Sequence, residues 1–273
     1  MNNVVVIGAN GMLGYAVSEY YFRKKYSVTK ISRSDFDIAK DSIEKLAPIL
    51  IGKDIVINCA GVIKSMIAKT PIEDVLRVNT IFPRNLANLS NKLGLHCYHV
   101  TTDCVYSGKR GDYTENDFFD AEDVYGMTKN GGDNAECMVL RTSIIGEEKG
   151  QSRSLLEWAR SNVGKDVNGF TNHRWNGVTT LYLAEIIDTI ESKNLYQKGI
   201  FHIHSPNTVS KFELLQQISE TYDLKLNIKT TEATDLIYRN LSSVKLLSSI
   251  VSNKKIFEQI LEMRDFFNQQ HKQ

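Results

Sequence analysis

Tyr125 and Lys129 stand four residues apart in DVYGMTKNGG (123–132), a spacing that puts both side chains on one face of a helix. A phenol beside an ammonium suits carbonyl reduction. Hydride addition to a ketone leaves an alkoxide that needs a proton, and a tyrosine, with its ordinary pKa of about 10, is a reluctant base but a usable acid near neutrality. The ammonium is expected to favour phenolate and so lower the Tyr125 pKa. Spacing alone does not single out this pair, because Tyr20/Lys24, Tyr21/Lys25 and Tyr26/Lys30 repeat it. Position separates them. The first three belong to the first helix and its exit, whereas Tyr125 follows a strand ending Thr101-Thr102-Asp103, and ligands of open α/β sheets bind beyond the carboxyl ends of strands. There Thr102 can hydrogen-bond a substrate oxygen and orient a carbonyl.

A second signal is the N-terminal run Gly8-Ala9-Asn10-Gly11-Met12-Leu13-Gly14, which follows VVVIGA (4–9) and opens a helix. One glycine serves a tight turn, one a close approach of backbone to a pyrophosphate, and one the packing of helix on strand. The pyrophosphate then sits on free N–H groups at the helix N-terminus. The plain alternative is a glycine-rich turn that binds nothing. After the next strand comes Ser32-Arg33-Ser34. An arginine here accommodates the 2′-phosphate of NADP, whereas an acidic residue holds the 2′-hydroxyl of NAD. Arg33 favours NADPH over NADH, with Asp35 and Asp37 close enough to compete for the reading.

The elements that must position these groups alternate through the first half. Strands are expected over 4–9, 27–32, 54–60, 96–102 and 137–143, and helices over 12–25, around 41–50 and over 71–94, with Pro71 in the first turn of the last and Gly94 at its end. Such alternation means a parallel sheet with helices on both faces. The second half is less regular: helices over 154–161, 180–192, 210–223 and 256–270, and a buried strand over 199–204. No repeat, low-complexity tract or linker divides the chain. The fold class is therefore α/β, a Rossmann-type doubly wound parallel sheet with a small C-terminal substrate-binding cap. Residues 1–150 form the dinucleotide-binding region, the helix and strand near 180–205 return to it, and 151–273 are mainly cap rather than a separate domain.

Composition narrows the function. The 273 residues are 42% hydrophobic and 24% charged with a formal net charge of +1, which leaves no electrostatic footprint for nucleic acid or a membrane surface. No apolar run is long enough to span a bilayer and no signal peptide opens the chain, so a cytoplasmic protein is expected. Cys59, Cys97, Cys104 and Cys137 are scattered, and with six histidines at no ligand spacing they argue against a metal site.

The Gly-x-x-Gly-x-x-Gly spacing, together with Thr102, Tyr125 and Lys129, resembles the short-chain dehydrogenase/reductases in their extended, nucleotide-sugar-modifying branch. TTDCVYSGKRGDYTENDFFDAEDVYGMTK (101–129) and RTSIIG (141–146) are similar to the dTDP-4-dehydrorhamnose reductases in particular. The resemblance covers about residues 1 to 185. It implies that Thr102, Tyr125 and Lys129 are catalytic, that Asn79 supports the lysine through water, that Asp37 and Ile38 lie by the adenine, and that Cys59, Ala60, Gly61 and Thr101 belong to the cofactor site with Lys129 on the ribose. Related dehydratases place Asp-Glu after the threonine; Asp103-Cys104 here argues against dehydration.

On the substrate side, Val62, Ile63 and Lys64 follow the third strand into the cleft, Asp103 follows the threonine, and Ser143 ends the fifth strand. FTNHRWNGVTT (170–180) falls where the family places a loop over the sugar. Trp175 there either stacks on a ring or anchors the cap, with Arg174 and His173 reaching phosphate oxygens. Gly131-Gly132 is expected to end the Tyr125 helix, since two glycines cost roughly 2 kcal/mol in a helix interior, which leaves open the homodimer that this helix serves in the family. The function implied is NADPH-dependent reduction of a nucleotide-linked 4-keto-6-deoxy sugar for polysaccharide synthesis. An epimerase, a non-catalytic NADP-binding regulatory subunit and a redox-sensing binding module are the alternatives.

Overall fold

The computed structural model describes residues 3–133, 136–150 and 154–269. Six parallel strands form the central sheet: β1 (Asn3–Ile7), β2 (Ser27–Ile31), β3 (Ile55–Asn58), β4 (His96–Thr102), β5 (Met138–Thr142) and β6 (Gly199–His202), in the order β2-β1-β3-β4-β5-β6. Chain direction across the sheet reverses between β1 and β3, which opens a crevice at their carboxyl ends. The strands are runs of β-branched and aromatic residues because both faces are covered. Val4, Val6, Ile55, Ile57, Tyr98, Val100, Met138 and Leu140 face a layer that includes helices α1 (Met12–Arg23), α4 (Thr180–Ser192) and α6 (Ile256–Asn268). Val5, Ile7, Val56, Cys97 and Val139 face the layer of α2 (Phe82–Leu93). The labels α3 and α5 denote Val124–Asp133 and Lys211–Thr221.

The helix expected over 71–94 is helical throughout but not uniform. Pro71 is its N-cap rather than part of its first turn, Ile72–Leu76 is α-helical, Arg77–Ile81 is a π-turn, and α2 closes on Gly94 at φ 73°. Pro83 accounts for the π-turn. It has no N–H to give the Asn79 carbonyl four residues back, and its ring would crowd that carbonyl in a regular helix.

The expectation that Gly131-Gly132 ends the Tyr125 helix is corrected: α3 runs through both glycines to Asp133. A Cβ at Gly132 would lie 2.2 Å from the Asn79 carbonyl oxygen, and one at Gly131 would lie 2.7 Å from the Thr80 methyl. The glycines let α3 rest against the π-turn, and close packing outweighs their low helix propensity. Positions 134–135 lie outside the described residues.

The remaining segments build the cap. Strands Asp166–Phe170 and Asn227–Thr231 pair in parallel, and His173–Trp175 pairs with Val209–Ser210 and with Ile237–Tyr238. Helix α5 packs on the first pair. The tail helix reaches Asn268, and residue 270 of the expected span lies outside the described residues. Among the described residues no helix is long and apolar enough to cross a membrane.

Candidate active site

The glycine loop leaves β1 at Gly8, whose φ of 79° and whose approach to Ala60 (2.9 Å from a Cβ built on Gly8) both require the absence of a side chain. Gly14 faces the Gly8 carbonyl so closely that a Cβ there would stand 2.2 Å from its oxygen, which locks α1 onto the loop. Gly11 is the N-cap of α1, with no side-chain cap and no acidic residue in the first turn. The N–H groups of Met12, Leu13 and Gly14 therefore point from the helix end with the positive end of its dipole unopposed, and Asn10 and Gly11 are exposed at the rim. That cradle fits the diphosphate of a dinucleotide.

Beyond β2, the Asp35 carboxylate accepts from the Ser32 N–H at 2.8 Å and from its hydroxyl at 2.6 Å; these bonds hold Asp35 below the usual carboxylate range. Asp35 is thereby committed to its own turn. The Arg33 guanidinium is 77% exposed and touches Asp37 at 3.3 Å, a contact weak enough in water to be exchanged. Asp37 also caps the Ala39 N–H, and Ile38 is half-buried against the core.

At the end of β3, Cys59, Ala60 and Gly61 lie across from the glycine loop. Asn58 Oδ1 accepts from the Ala60 N–H at 3.1 Å, and Asn58 Nδ2 meets His99 Nδ1 at 3.0 Å. Asn79, buried on the π-turn, clamps the next residue: its Oδ1 accepts from the Val62 N–H at 2.8 Å and its Nδ2 donates to the Val62 carbonyl at 3.1 Å. It also donates to Thr128 Oγ1 on α3 at 3.3 Å. A Cβ at Gly61 would be 3.5 Å from Asn79 Oδ1 and 3.7 Å from Lys129 Nζ, so the lysine and the clamp share one corner. Asn79 thus acts directly on backbone, a role the expected water-mediated support of Lys129 did not include.

Helix α3 starts on Asp123, whose Oδ1 accepts from the Gly126 N–H at 2.8 Å. From it Tyr125 reaches Thr102, and Lys129, one turn further on, reaches the corner at Gly61. The buried Lys129 ammonium donates to the Val100 carbonyl at 3.3 Å; burial pulls it down to about 8 while Asp133 pulls the other way. The expected lowering of the Tyr125 pKa is corrected. Burial pushes the phenol up, with Cys104 and Asp103 adding to the rise, and a hydrogen bond with Thr102 is the counterweight. The Thr102 hydroxyl accepts from the Cys104 N–H at 3.1 Å and donates to Asp103 at 3.1 Å. Thr101, one residue earlier, points through the opposite face of β4, and its side chain lies beside Asp133 beneath α3.

Beneath α3 lies a polar layer that no motif in the sequence announced. Arg141 is fully buried on β5 and donates to Asp133 Oδ2 through Nε at 3.1 Å and Nη2 at 2.9 Å. Its Nη1 reaches the Tyr106 hydroxyl at 2.9 Å and His202 Nε2 at 3.0 Å. His202 Nδ1 meets the carbonyls of Tyr113 and Ser242, which makes it the protonated nitrogen and leaves Nε2 as acceptor. Burial and the Arg141 charge push His202 down to about 4, consistent with a neutral ring.

On the substrate side, Lys64 pairs with Asp123 at 2.8 Å across the cleft mouth. Asp103 is buried, and desolvation raises its pKa against the pull of Arg239 and Lys211. Trp175 is an anchor: it is 5% exposed and its Nε1 donates to Ser143 Oγ at 2.8 Å, so the Ser143 hydroxyl is engaged too. Arg174 is exposed and faces Glu213 rather than sharing the side of Trp175, and His173 Nε2 meets the Asp235 carbonyl at 3.1 Å. The cations that do approach Asp103 are Lys211 and Arg239, which carry no local signal in the sequence.

A dinucleotide cradle at the reversal of a parallel sheet, with a tyrosine, lysine and threonine gathered at its carboxyl edge, defines a short-chain dehydrogenase/reductase of the extended type. Within that class, the model of the RmlD substrate binding domain matches residues 1–263, and the chain belongs to this family. Spore coat polysaccharide biosynthesis protein SpsK of Bacillus subtilis is 24% identical over 244 residues, which are 85% of this chain and 84% of that one. A dTDP-4-dehydrorhamnose reductase of Sinorhizobium fredii is 26% identical over 239 residues, 81% and 78% of the two chains. Among solved structures, dTDP-4-dehydrorhamnose reductase from Bacillus anthracis in complex with NADP superposes with a TM-score of 0.81 at 21% identity, covering 98% of this chain and 99% of that one.

Proposed function

We propose that this protein is a cytoplasmic NADPH-dependent reductase of a nucleotide-linked 4-keto-6-deoxy sugar, of the dTDP-4-dehydrorhamnose reductase type, acting in polysaccharide precursor synthesis. The observation that carries the reading is the meeting of Thr102, Tyr125 and Lys129 opposite the glycine loop, with Cys104 where a dehydratase carries its second acid. One relative named a dTDP-4-dehydrorhamnose reductase and another named a spore coat polysaccharide biosynthesis protein support it.

NADPH bound in the cradle supplies the hydride. The protein's own groups do the rest. Thr102 turns its hydroxyl from Asp103 to the substrate's keto oxygen and orients the carbonyl. Tyr125 then protonates the oxygen as it becomes an alkoxide. Reduction needs the phenol protonated beforehand, and the burial that raises its pKa secures this; an alkoxide is still the much stronger base. Lys129 binds the ribose hydroxyls of the cofactor and keeps positive charge near the developing anion. Arg33 with Ser32 and Ser34 receives the 2′-phosphate, since Asp35 is already bonded to Ser32.

Oxidation of NADPH, and separately of NADH, is followed with dTDP-, UDP- and GDP-linked 4-keto-6-deoxy sugars for wild type and Tyr125→Phe. Turnover of one sugar with NADPH, lost in Tyr125→Phe, is the expected result. Tight NADPH binding without turnover of any sugar would leave a regulatory or sensing role instead.

A further inference from the structure

Lys211 opens helix α5 and is fixed by its neighbours. Ser210 caps that helix, accepting from the Glu213 N–H at 3.1 Å, while the Glu213 carboxylate accepts from the Ser210 N–H at 2.6 Å. Ser210 and Val209 pair in register with Arg174 and Trp175. The Lys211 ammonium consequently stands 5.4 Å from the centre of the Trp175 ring. Trp175 is tied to Ser143, the residue after Thr142, and Thr142 is the register partner of Thr102. Through Trp175 and Ser143 the ammonium is thus linked to the carboxyl end of β5, the neighbour of the β4 end that carries Thr102.

What faces it is acidic. Asp103 and Cys104 are the groups that favour its charge, while burial and Arg239 oppose it and leave Lys211 below the usual lysine range. Arg239 enters from the other side of the cap, its Nε donating to the Tyr106 carbonyl at 2.9 Å. Among the described residues neither Lys211 nor Arg239 closes an ion pair with Asp103. A half-buried ammonium held beside Trp175 and a buried carboxylate next to Thr102 sense each other without forming an ion pair, so each keeps hydrogen-bonding capacity for a neutral polar group. Donor on one side and acceptor on the other suit a sugar hydroxyl.

Resting on the reductase reading, we propose that Lys211 is a specificity-determining residue for the sugar ring, its ammonium donating to a ring hydroxyl beside the keto carbon while Asp103 accepts from the same edge. Binding of a nucleoside diphosphate without the sugar is then expected to be independent of Lys211.

Binding tests this without requiring turnover. NADP-loaded wild type, Lys211→Met and Lys211→Arg are titrated calorimetrically with dTDP-rhamnose, the product of the proposed reaction, and with dTDP alone. Wild type is expected to bind the sugar nucleotide more tightly than dTDP. Lys211→Met is expected to erase about tenfold or more of that margin, the worth of a charged hydrogen bond, and to leave the dTDP affinity unchanged. Lys211→Arg is expected to keep part of the margin. Equal weakening of both ligands in Lys211→Met, or no weakening of either, overturns the proposal. Wild type that binds the sugar by a margin dependent on Lys211 but never turns over a keto sugar would retire the reductase reading and leave this one standing. Wild type with no margin for the sugar refutes the role of Lys211 whatever the activity.

Discussion

Gly132→Ala sets two effects of comparable size against each other. Helix propensity alone favours alanine by about 1 kcal/mol at an interior position of α3. Packing opposes it. The added Cβ would lie 2.2 Å from the Asn79 carbonyl oxygen, a backbone atom on the π-turn that has no rotamer to escape into. Ordinary C···O contact is about 3.3 Å or more, so the helices must part by about 1 Å. Overpacking of this kind costs about 1–3 kcal/mol, and the net is a loss of at most about 2 kcal/mol. At roughly 2–4 °C per kcal/mol for a chain of this size, the melting temperature falls by a few degrees. Activity suffers out of proportion. Gly132 lies one turn beyond Lys129, and Asn79 is the residue that clamps Val62, so the separation displaces lysine and loop together. A misplacement of about 1 Å can cost about 100-fold in kcat/KM. Calorimetry and NADPH oxidation on the same preparations test this. Gly131→Ala is the milder comparison, because its Cβ meets the Thr80 side chain at 2.7 Å rather than backbone at 2.2 Å. A melting temperature raised by Gly132→Ala with kcat/KM intact would show that propensity governs α3 and that the contact with the π-turn does not position the site.

The same geometry sets four further outcomes. With a charged Lys129 on the cofactor, as proposed, the affinity for NADPH is expected to fall as pH rises through about 8, measured as Kd by fluorescence titration; a Kd flat to about pH 9 refutes this. Stability responds with the opposite sign, because the Lys129 pKa is depressed: above about 8 the unfolded chain holds the proton that the folded one has released, and this group makes stability rise with pH up to the ordinary lysine range. Arg33→Ala is expected to lower kcat/KM with NADPH by about tenfold or more and leave NADH unaffected, the signature of one charged hydrogen bond to the 2′-phosphate; equal losses with both cofactors would remove Arg33 from the site. Arg141→Met strands Asp133 and His202 in the core and is expected to cost about 3–5 kcal/mol in urea unfolding, with much of it recovered when Asp133→Leu is added.

The sequence by itself determined the sheet and one end of the site. Runs such as VVVI and DIVINCA are apolar on both faces and so imply parallel strands between helix layers; the glycines at 8, 11 and 14 and the spacing of Tyr125 from Lys129 are local patterns that carry their own geometry. Where a residue's fate rested on distant neighbours, only the tertiary structure decided. Gly131 and Gly132 read locally as a helix stop, but the π-turn that Pro83 forces on a helix some fifty residues earlier needs them as a docking surface. By spacing alone the Tyr125 phenol should sense a nearby ammonium, yet burial dominates it, and burial is a property of everything packed around the ring. Arg174 and Trp175 are adjacent in sequence and part company because a strand sends neighbours to opposite faces. Lys211 and Arg239 gave no local sign, since a lysine after a serine cap and an arginine in a loop resemble any solvated cation until the cap folds them over Asp103. Periodicity and spacing record what a segment does with its own backbone, whereas desolvation and close approach are made by segments that meet only after folding, and the surroundings of Asp103, Lys211 and Arg239 are built from the latter.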